Sequence, residues 1–246
     1  MLSILIITLS FLPFLVFHQT RKYFNFALLA LLAIILHGVC LFGFQILFFF
    51  IVTYIISTAI ELISLKTRFN FFGVKYQYNL DNKNFSSGIN FLGVYPIEVS
   101  ITWVIFKYLS FCIAFLIVNA FSSGYLLIVF LTPLILVSID LVVDPLAVNK
   151  YKMWKWQRGS KYFGIPYTNF LGWFFVGLVS SLSLLFIEFQ KSLDFHYILL
   201  LPVIFYALIF KNLSKIYELD KLRTILGAIP ALTWVILGFI SIMILS

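Results

Sequence analysis

Three carboxylates of this chain lie at the ends of long apolar segments, where charged side chains are rare. Asp140 and Asp144 close one apolar run, and Glu61 lies near the end of an earlier one. Residues four apart are neighbours on one helix face, so the two aspartates are expected to lie together. Burial and a second nearby carboxylate both favour the neutral form of a carboxyl group, which can then act as a Brønsted acid at neutral pH. A plainer interpretation stays open: one aspartate pairs with the basic loop beyond it, and the other is interfacial.

The loop after the aspartates is rich in aromatic side chains. Trp154, Trp156, Tyr162 and Trp173 could face a cationic intermediate, because a desolvated aromatic face attracts positive charge by ~2 kcal/mol or more. They could equally form the interfacial belt that Trp and Tyr favour in membrane proteins.

Polar and helix-breaking residues surround this loop. Pro145 is expected to end the helix that carries the aspartates, because it lacks an N–H group and restricts the residue before it. Tyr167 and Asn169 open the next apolar segment, and either could position a water molecule.

A second set of candidates surrounds Glu61. An ionisable group inside a membrane segment is costly without a partner, and Arg68 is the nearest strong candidate. Gly73, Tyr76 and Tyr78 indicate a tight amphipathic segment and not a solvated loop. Lys107 falls in the middle of the next apolar segment, where it either snorkels, faces the bundle interior, or serves as the counter-ion of a buried carboxylate.

The composition places the whole chain in a lipid bilayer. Of its 246 residues 63% are hydrophobic and 11% are charged, and the mean hydropathy is +1.08. Soluble domains are about half apolar and a quarter charged. The net charge of +8 would suggest nucleic acid in a soluble protein, but here the basic residues lie in short loops between apolar runs. We therefore expect an all-α polytopic membrane bundle that forms one domain over residues 1–246 and binds no nucleic acid.

Apolar runs of about 20 residues mark the membrane-spanning helices. The sequence predicts eight spans, with seven as the alternative because the first and the seventh are short. The predicted spans are residues 2–18, 24–42, 45–65, 94–117, 124–143, 168–188, 195–211 and 225–245, and Gly43 is the expected break between the second and the third.

Loop charge predicts the orientation of these spans. The loops at 18–23, 66–93 and 144–167 and the last loop are rich in Lys and Arg, whereas the turns near Gly43, at 118–123 and at 189–194 carry at most one. Because basic loops stay in the cytoplasm, this alternation predicts a multi-pass protein of the cytoplasmic membrane. Both termini would be outside, and the loops with the candidate residues would face the cytoplasm.

Four groups of residues resemble one known family. They are Glu61 with Gly73 and Tyr76-x-Tyr78; Gly93-Val94-x-Pro96 with Trp103; Asp140-x-x-x-Asp144-Pro145; and Tyr162-Phe163-Gly164-x-Pro166-x-x-Asn169-Phe170-x-Gly172-Trp173. Over roughly residues 50–245 the chain resembles the membrane carotenoid 1′,2′-hydratases. That family includes bisanhydrobacterioruberin hydratases and γ-carotene 1′,2′-hydratase-like proteins.

The resemblance implies that water adds to the terminal C1′=C2′ double bond of an acyclic carotenoid ψ-end, giving a tertiary 1′-hydroxyl. It implies a substrate like lycopene, γ-carotene or a bacterioruberin precursor, with no metal or redox cofactor. Complexes with other carotenoid enzymes are also expected. The chemistry of the side chains makes Asp140 or Asp144 the first choice for the acid, followed by Glu61. The candidate substrate-binding residues are Trp154, Trp156, Tyr162, Tyr167, Asn169, Trp173, Tyr76, Tyr78, Trp103 and Arg68.

Two other functions remain open at this stage. A membrane prenyltransferase could bind Mg²⁺ and a diphosphate at Asp140 and Asp144, although such enzymes usually carry two aspartate-rich motifs and only one is present. A carotenoid carrier or scaffold without catalysis would also combine broken helices with buried carboxylates, but no inverted repeat supports a transporter.

Overall fold

Long helices make up most of the structure, as the apolar runs predict. The structure is a computed structural model that describes residues 22–188 and 196–246, together with scattered positions before residue 22. Most of the predicted span at 2–18 and the whole of the predicted turn at 189–194 lie outside the described residues. The helices are α1 Tyr23–Phe42, α2 Ile46–Lys66, α3 Ile97–Ala120, α4 Leu126–Pro145, α5 Tyr167–Ser181, α6 Leu200–Ala207, α7 Leu213–Tyr217 and α8 Lys221–Leu245.

Within the described residues, seven helical segments are long and apolar enough to cross a membrane. They correspond to the second through eighth predicted spans, and the all-α polytopic architecture is confirmed. Gly43 separates α1 from α2 with a φ of +73°, which a residue with a side chain rarely adopts. The span predicted at 195–211 runs instead from Leu200 to Tyr217, as α6, a 3₁₀ turn at Leu208–Asn212 and α7.

Helix α3 is the centre of the bundle. It packs against α1, α2, α4, α6 and α8, and most of its side chains are buried. Helix α5 packs mainly against α2 and α4. The ends of α2, α4 and α5 therefore meet beside α3, and this is where the candidate residues gather.

Two short antiparallel ribbons, which the sequence analysis does not predict, shape the loops. Strand β1 (Tyr76–Tyr78) pairs with β4 (Trp154–Trp156), and β2 (Asn90–Phe91) pairs with β3 (Tyr95–Pro96). In the first ribbon Tyr76 lies opposite Trp156 and Tyr78 opposite Trp154. The Tyr-x-Tyr and Trp-x-Trp alternation is the sequence signal for this pairing, because successive strand residues point to opposite faces.

Backbone and side-chain contacts bring the basic loops to one end of the bundle. Ribbon β1–β4 joins the loop after α2 to the loop after α4. Lys215 Nζ donates to the hydroxyl of Tyr151 (3.1 Å), and the N–H of Tyr23 donates to the carbonyl of Asn84 (3.1 Å). The prediction that the two loops with candidate residues share one face is confirmed.

Candidate functional site

The site is built around the three carboxyl groups. Asp140 and Asp144 lie one turn apart near the end of α4, and Glu61 lies in the last turns of α2. All three side chains are buried, with exposed fractions of 8%, 4% and 1% respectively. Glu61 interacts electrostatically with both aspartates. None of the three has a salt bridge to a Lys, Arg or His of the described residues.

Asn169 of α5 joins the two aspartates. Its side-chain Nδ2 donates to Asp144 Oδ2 (2.7 Å) and to Asp140 Oδ2 (3.2 Å). The two carboxyl groups are also within hydrogen-bonding reach of each other. Because a carboxylate has no donor, a hydrogen bond between them requires a proton on one of the two. The pair is therefore suited to hold an acidic proton away from water.

Two phenols of ribbon β1–β4 hold Glu61. Tyr76 donates to Glu61 Oε2, and the Tyr78 hydroxyl donates to Glu61 Oε1 (3.1 Å). Both tyrosines point inward because one residue, the exposed Gln77, separates them on strand β1. Lys75 fixes the strand to the end of α2, since its Nζ donates to the carbonyls of Ser64 (3.0 Å) and Thr67. Positive charge at a helix C-terminus is stabilising.

The environment keeps these phenols protonated. Burial raises the pKa of Tyr76 and of Tyr78 well above the usual range, and the nearby charge of Glu61 raises both further. Both therefore remain hydrogen-bond donors at neutral pH. This arrangement differs from the predicted one, because neutral donors and not an ion pair satisfy Glu61.

A continuous row of aromatic rings runs along one side of the cluster. Trp103 of α3 stacks on Trp173 of α5, and Phe72 continues the row at 4.8 Å between ring centroids. Tyr76 follows Phe72 at 5.7 Å, and Trp156 follows Tyr76 at 4.7 Å. Four of these five rings are predicted candidates, and Phe72 is the one that the sequence analysis missed. In so Phe-rich a chain nothing in the sequence distinguishes it.

Trp154 and Tyr162 are outside this row. Trp154 is in edge contact with Tyr78, at 5.8 Å between centroids. Tyr162 is in edge contact with Phe170 at 5.6 Å. Burial and the negative charges of Asp144 and Asp140 raise the pKa of Tyr162. Tyr162 therefore borders the two aspartates, whereas Trp154 borders the ring of Tyr78.

The regular α-helix ends at Pro145, as predicted, although the chain stays helical beyond it. The chain continues through a π-helical segment, Leu146–Lys150. Pro145 has no N–H to donate to the carbonyl four residues earlier, that of Leu141. The Tyr162 hydroxyl donates to this carbonyl instead (2.7 Å). Gly227 of α8 makes room for that hydroxyl, because a Cβ there would lie only 1.9 Å from it.

The turn before α5 decides which side chains enter the site. Phe163 and Gly164 both have positive φ, and the N–H of Ile165 donates to the carbonyl of Tyr162 (2.8 Å). Two helical positions separate Tyr167 from Asn169, or about 200° around the axis. Asn169 is buried, and Tyr167 is 64% exposed on the opposite side. The structure therefore brings Asn169, and not Tyr167, to the carboxyl cluster.

Two predicted ion pairs are also absent from the described residues. Arg68 is exposed beyond the end of α2 and forms no salt bridge with Glu61 there. The structure does not place Arg68 next to Glu61, because the two tyrosines of β1 occupy the positions beside this carboxylate. Lys107 is fully buried in the bundle interior, where it donates to the Gly177 carbonyl and to Ser180 Oγ (3.0 Å). It is not the counter-ion of a carboxylate.

Comparisons with known proteins identify the family. The sequence profile of the carotenoid biosynthesis proteins matches residues 23–239, which include α1 and every residue of the carboxyl cluster. Neither the search of curated proteins nor the search of solved structures finds a match to the chain. The profile covers most of the sequence, so the chain belongs to the carotenoid biosynthesis protein family and acts in carotenoid biosynthesis.

Proposed function

We propose that this protein adds water to the terminal C1′=C2′ double bond of an acyclic carotenoid ψ-end, giving a tertiary 1′-hydroxyl. The observation that carries the proposal is the cluster of Glu61, Asp140 and Asp144, which is buried without a basic partner among the described residues. Hydration of an isolated trisubstituted alkene requires a donor that keeps its proton at neutral pH and protection from bulk water. A shared carboxyl proton in an apolar enclosure meets both requirements.

The proposed reaction begins with the aspartate pair. The proton held between Asp140 and Asp144 passes to C2′, the π electrons form the new C–H bond, and a tertiary cation develops at C1′. Asn169 donates to both carboxyl groups and can stabilise the carboxylate that remains. Water then adds to C1′, and its excess proton returns to the carboxyl cluster. Protons and electrons balance without a cofactor.

The aromatic row supports the cationic stage of this reaction. Aromatic faces attract a desolvated cation by about 2 kcal/mol, and Tyr76, Trp156 and Trp173 lie in the row beside the cluster. The indole N–H of Trp156 is buried and donates to no acceptor of the described residues. It is thus a candidate donor to the attacking water. Glu61 and its two phenols form a second proton-transfer group.

The expected orientation follows from the basic end of the bundle. We propose that this end faces the cytoplasm, as the positive-inside rule requires. The carboxyl cluster would then lie near the cytoplasmic boundary of the bilayer, where a water molecule and a membrane-dissolved polyene can both arrive. The substrate classes expected are lycopene, γ-carotene and bacterioruberin precursors.

Pigment analysis tests the proposal. Cells that make lycopene or γ-carotene should accumulate a pigment heavier by one water when they express the wild-type chain. Asp140→Asn, Asp144→Asn and Glu61→Gln should each lower the yield, by about 10²- to 10⁴-fold for the residue that donates the proton. Asp81→Asn is the matched control, because Asp81 is an exposed carboxylate in the same loop region. Unchanged yields in all three site variants would sink the hydratase assignment.

The same material separates the two alternatives. A prenyltransferase would lose activity when a chelator removes Mg²⁺, whereas the proposed hydration should be unaffected. The burial of Asp140 and Asp144 fits a diphosphate site poorly, since such a ligand needs open carboxylates to hold its metal. A carrier would bind polyene and return it unchanged.

A further inference from the structure

An apolar groove opens toward the lipid beside the carboxyl cluster. It has a volume of about 520 Å³ and lies between α2, the segment 69–73 and α5. No charged side chain lines it. Its one polar lining residue, Thr168, already donates its hydroxyl to the Phe72 carbonyl (2.6 Å). An occupant of the groove therefore needs no hydrogen-bonding group, so the groove suits a pure hydrocarbon.

Two glycines make the groove possible. Gly73 has a φ of +75°, and a Cβ at this position would lie 2.5 Å from the Thr168 hydroxyl oxygen. Gly172 faces the Phe72 ring, and a Cβ there would lie 2.6 Å from it. Each glycine brings the segment 69–73 against α5 more closely than a larger residue would allow.

Phe72 forms the boundary between the groove and the carboxyl cluster. Its ring packs on Gly172, which lines the groove, and on Tyr76 and Trp173, which belong to the aromatic row of the site. The side chain is 1% exposed. The groove and the proposed reaction site are thus adjacent, with the ring of one residue between them.

We propose that this groove holds the polyene chain of the substrate next to its reacting end, while the far end of the molecule stays in the lipid. The inference rests on the function proposed above. The occupant follows from three observations: the chain belongs to a family of carotenoid biosynthesis, the groove is apolar and opens to lipid, and it adjoins the carboxyl cluster. Carotenoids are long hydrocarbons that reach a protein through the bilayer.

The length of the groove limits what it can recognise. Its lining along α5 runs from Thr168 to Val179. With a helical rise of 1.5 Å per residue this distance is about 16 Å. The hydrocarbon core of a bilayer is about 30 Å thick, and a polyene of that length projects well beyond the groove. The protein should select the acyclic reacting end and tolerate either an open or a cyclised opposite end.

The experiment fills the groove from its lipid side. Leu171→Trp and Val179→Trp place an indole at positions that are about half exposed, where folding tolerates a larger side chain. Leu232→Trp is the matched control, because Leu232 is similarly exposed on α8 and does not line the groove. Each variant is expressed in cells that make lycopene, and in cells that make γ-carotene, and then purified in mild detergent. Polyene absorbance per protein and hydrated product are measured.

Leu171→Trp should lower bound polyene and hydrated product about tenfold. A tenfold loss corresponds to about 1.4 kcal/mol, which is a typical cost of overpacking. Val179→Trp, at the far end of the groove, should lower both less, and Leu232→Trp should match the wild type. Lycopene and γ-carotene should give similar yields, whereas recognition of the far end would separate them by about tenfold or more.

The outcomes separate this inference from the proposed function. Undiminished polyene in both Leu171→Trp and Val179→Trp would overturn the groove assignment, whatever the activity. Wild-type protein that binds polyene, loses it in Leu171→Trp and makes no hydrated product would support the groove and overturn the hydratase. A strong preference between the two polyenes would refute recognition of one end only.

Discussion

Two buried polar regions of the same bundle carry ionisable groups of opposite sign, and each satisfies them with neutral partners. Near the basic end, Glu61, Asp140 and Asp144 receive hydrogen bonds from neutral groups, namely two phenols and an amide. Deeper in the bundle, Lys107 donates to a backbone carbonyl and a hydroxyl, which are also neutral. Acidic and basic side chains are therefore both enclosed, and they are not paired with each other.

Helix α5 keeps the two regions apart. Asn169 faces the carboxyl groups and Gly177 accepts from Lys107, so about 12 Å of helix separates the two contacts. The stacked pair of Trp103 and Trp173 lies one turn from each. A salt bridge to Lys107 would hold a carboxylate in its charged form. Separation leaves the carboxyl cluster free to keep and exchange a proton, which is what acid catalysis needs.

The largest expected effect in this comparison comes from Asn169. Asn169→Leu keeps the shape of the side chain and removes the only amide donor to both aspartates among the described residues. We expect a loss of about 1–3 kcal/mol in the free energy of unfolding, because buried carboxyl oxygens are left without a donor. Hydrated product should fall as well. Thermal unfolding in detergent and pigment yield measure the two effects.

Asn119→Leu is the control for this substitution. Among the described residues, the Asn119 side chain donates one hydrogen bond, to the Phe115 carbonyl of its own helix. Equal destabilisation by the two variants would show that the amide of Asn169 has no special relation to the carboxyl cluster.

An intermediate effect is expected where the carboxyl cluster meets the helix irregularity. Tyr162→Phe removes the donor to the Leu141 carbonyl and should cost about 1 kcal/mol. In a Pro145→Ala background, the new N–H of residue 145 can donate to the Leu141 carbonyl. The loss in free energy of unfolding caused by Tyr162→Phe should therefore be smaller. A double-mutant cycle on thermal unfolding gives the coupling. Strict additivity would mean that Tyr162 does not replace the hydrogen bond that Pro145 lacks.

The smallest effect is expected at Lys107. Lys107→Met keeps the aliphatic stem and removes a buried ammonium group. The free energy of unfolding should stay the same or rise by about 1 kcal/mol, because desolvating a charge costs more than its neutral partners return. Pigment yield should be retained. If pigment yield fell as much as in Asn169→Leu, Lys107 would be linked to the carboxyl chemistry. The two buried regions would then not be independent.

The sequence predicts the helices far better than the loops. Seven predicted spans correspond to observed ones because hydropathy and length are summed over about 20 residues. The i, i+4 spacing also places Asp140 and Asp144 together correctly. Gly43 marks a break because its backbone conformation excludes most other residues.

Contacts between distant segments could not be predicted in the same way. Arg68 is close to Glu61 in sequence, but in the structure two tyrosines of β1 donate to this carboxylate instead. Tyr167 and Asn169 are equally plausible in a list of polar residues, and only the rotation of α5 separates them. Pro145 indicates a missing hydrogen bond, but the sequence does not show that Tyr162 will replace it.

Ribbon β1–β4 connects the site to the order in which the chain is synthesised. Tyr76 and its helical hairpin are made first, and Trp156 follows eighty residues later. Until then β1 has no partner strand, and the ribbon that covers Glu61 is incomplete. The enclosure of Glu61 can therefore form only after α4 and the loop beyond it have been synthesised, and the aspartate pair gains its amide donor only when α5 follows.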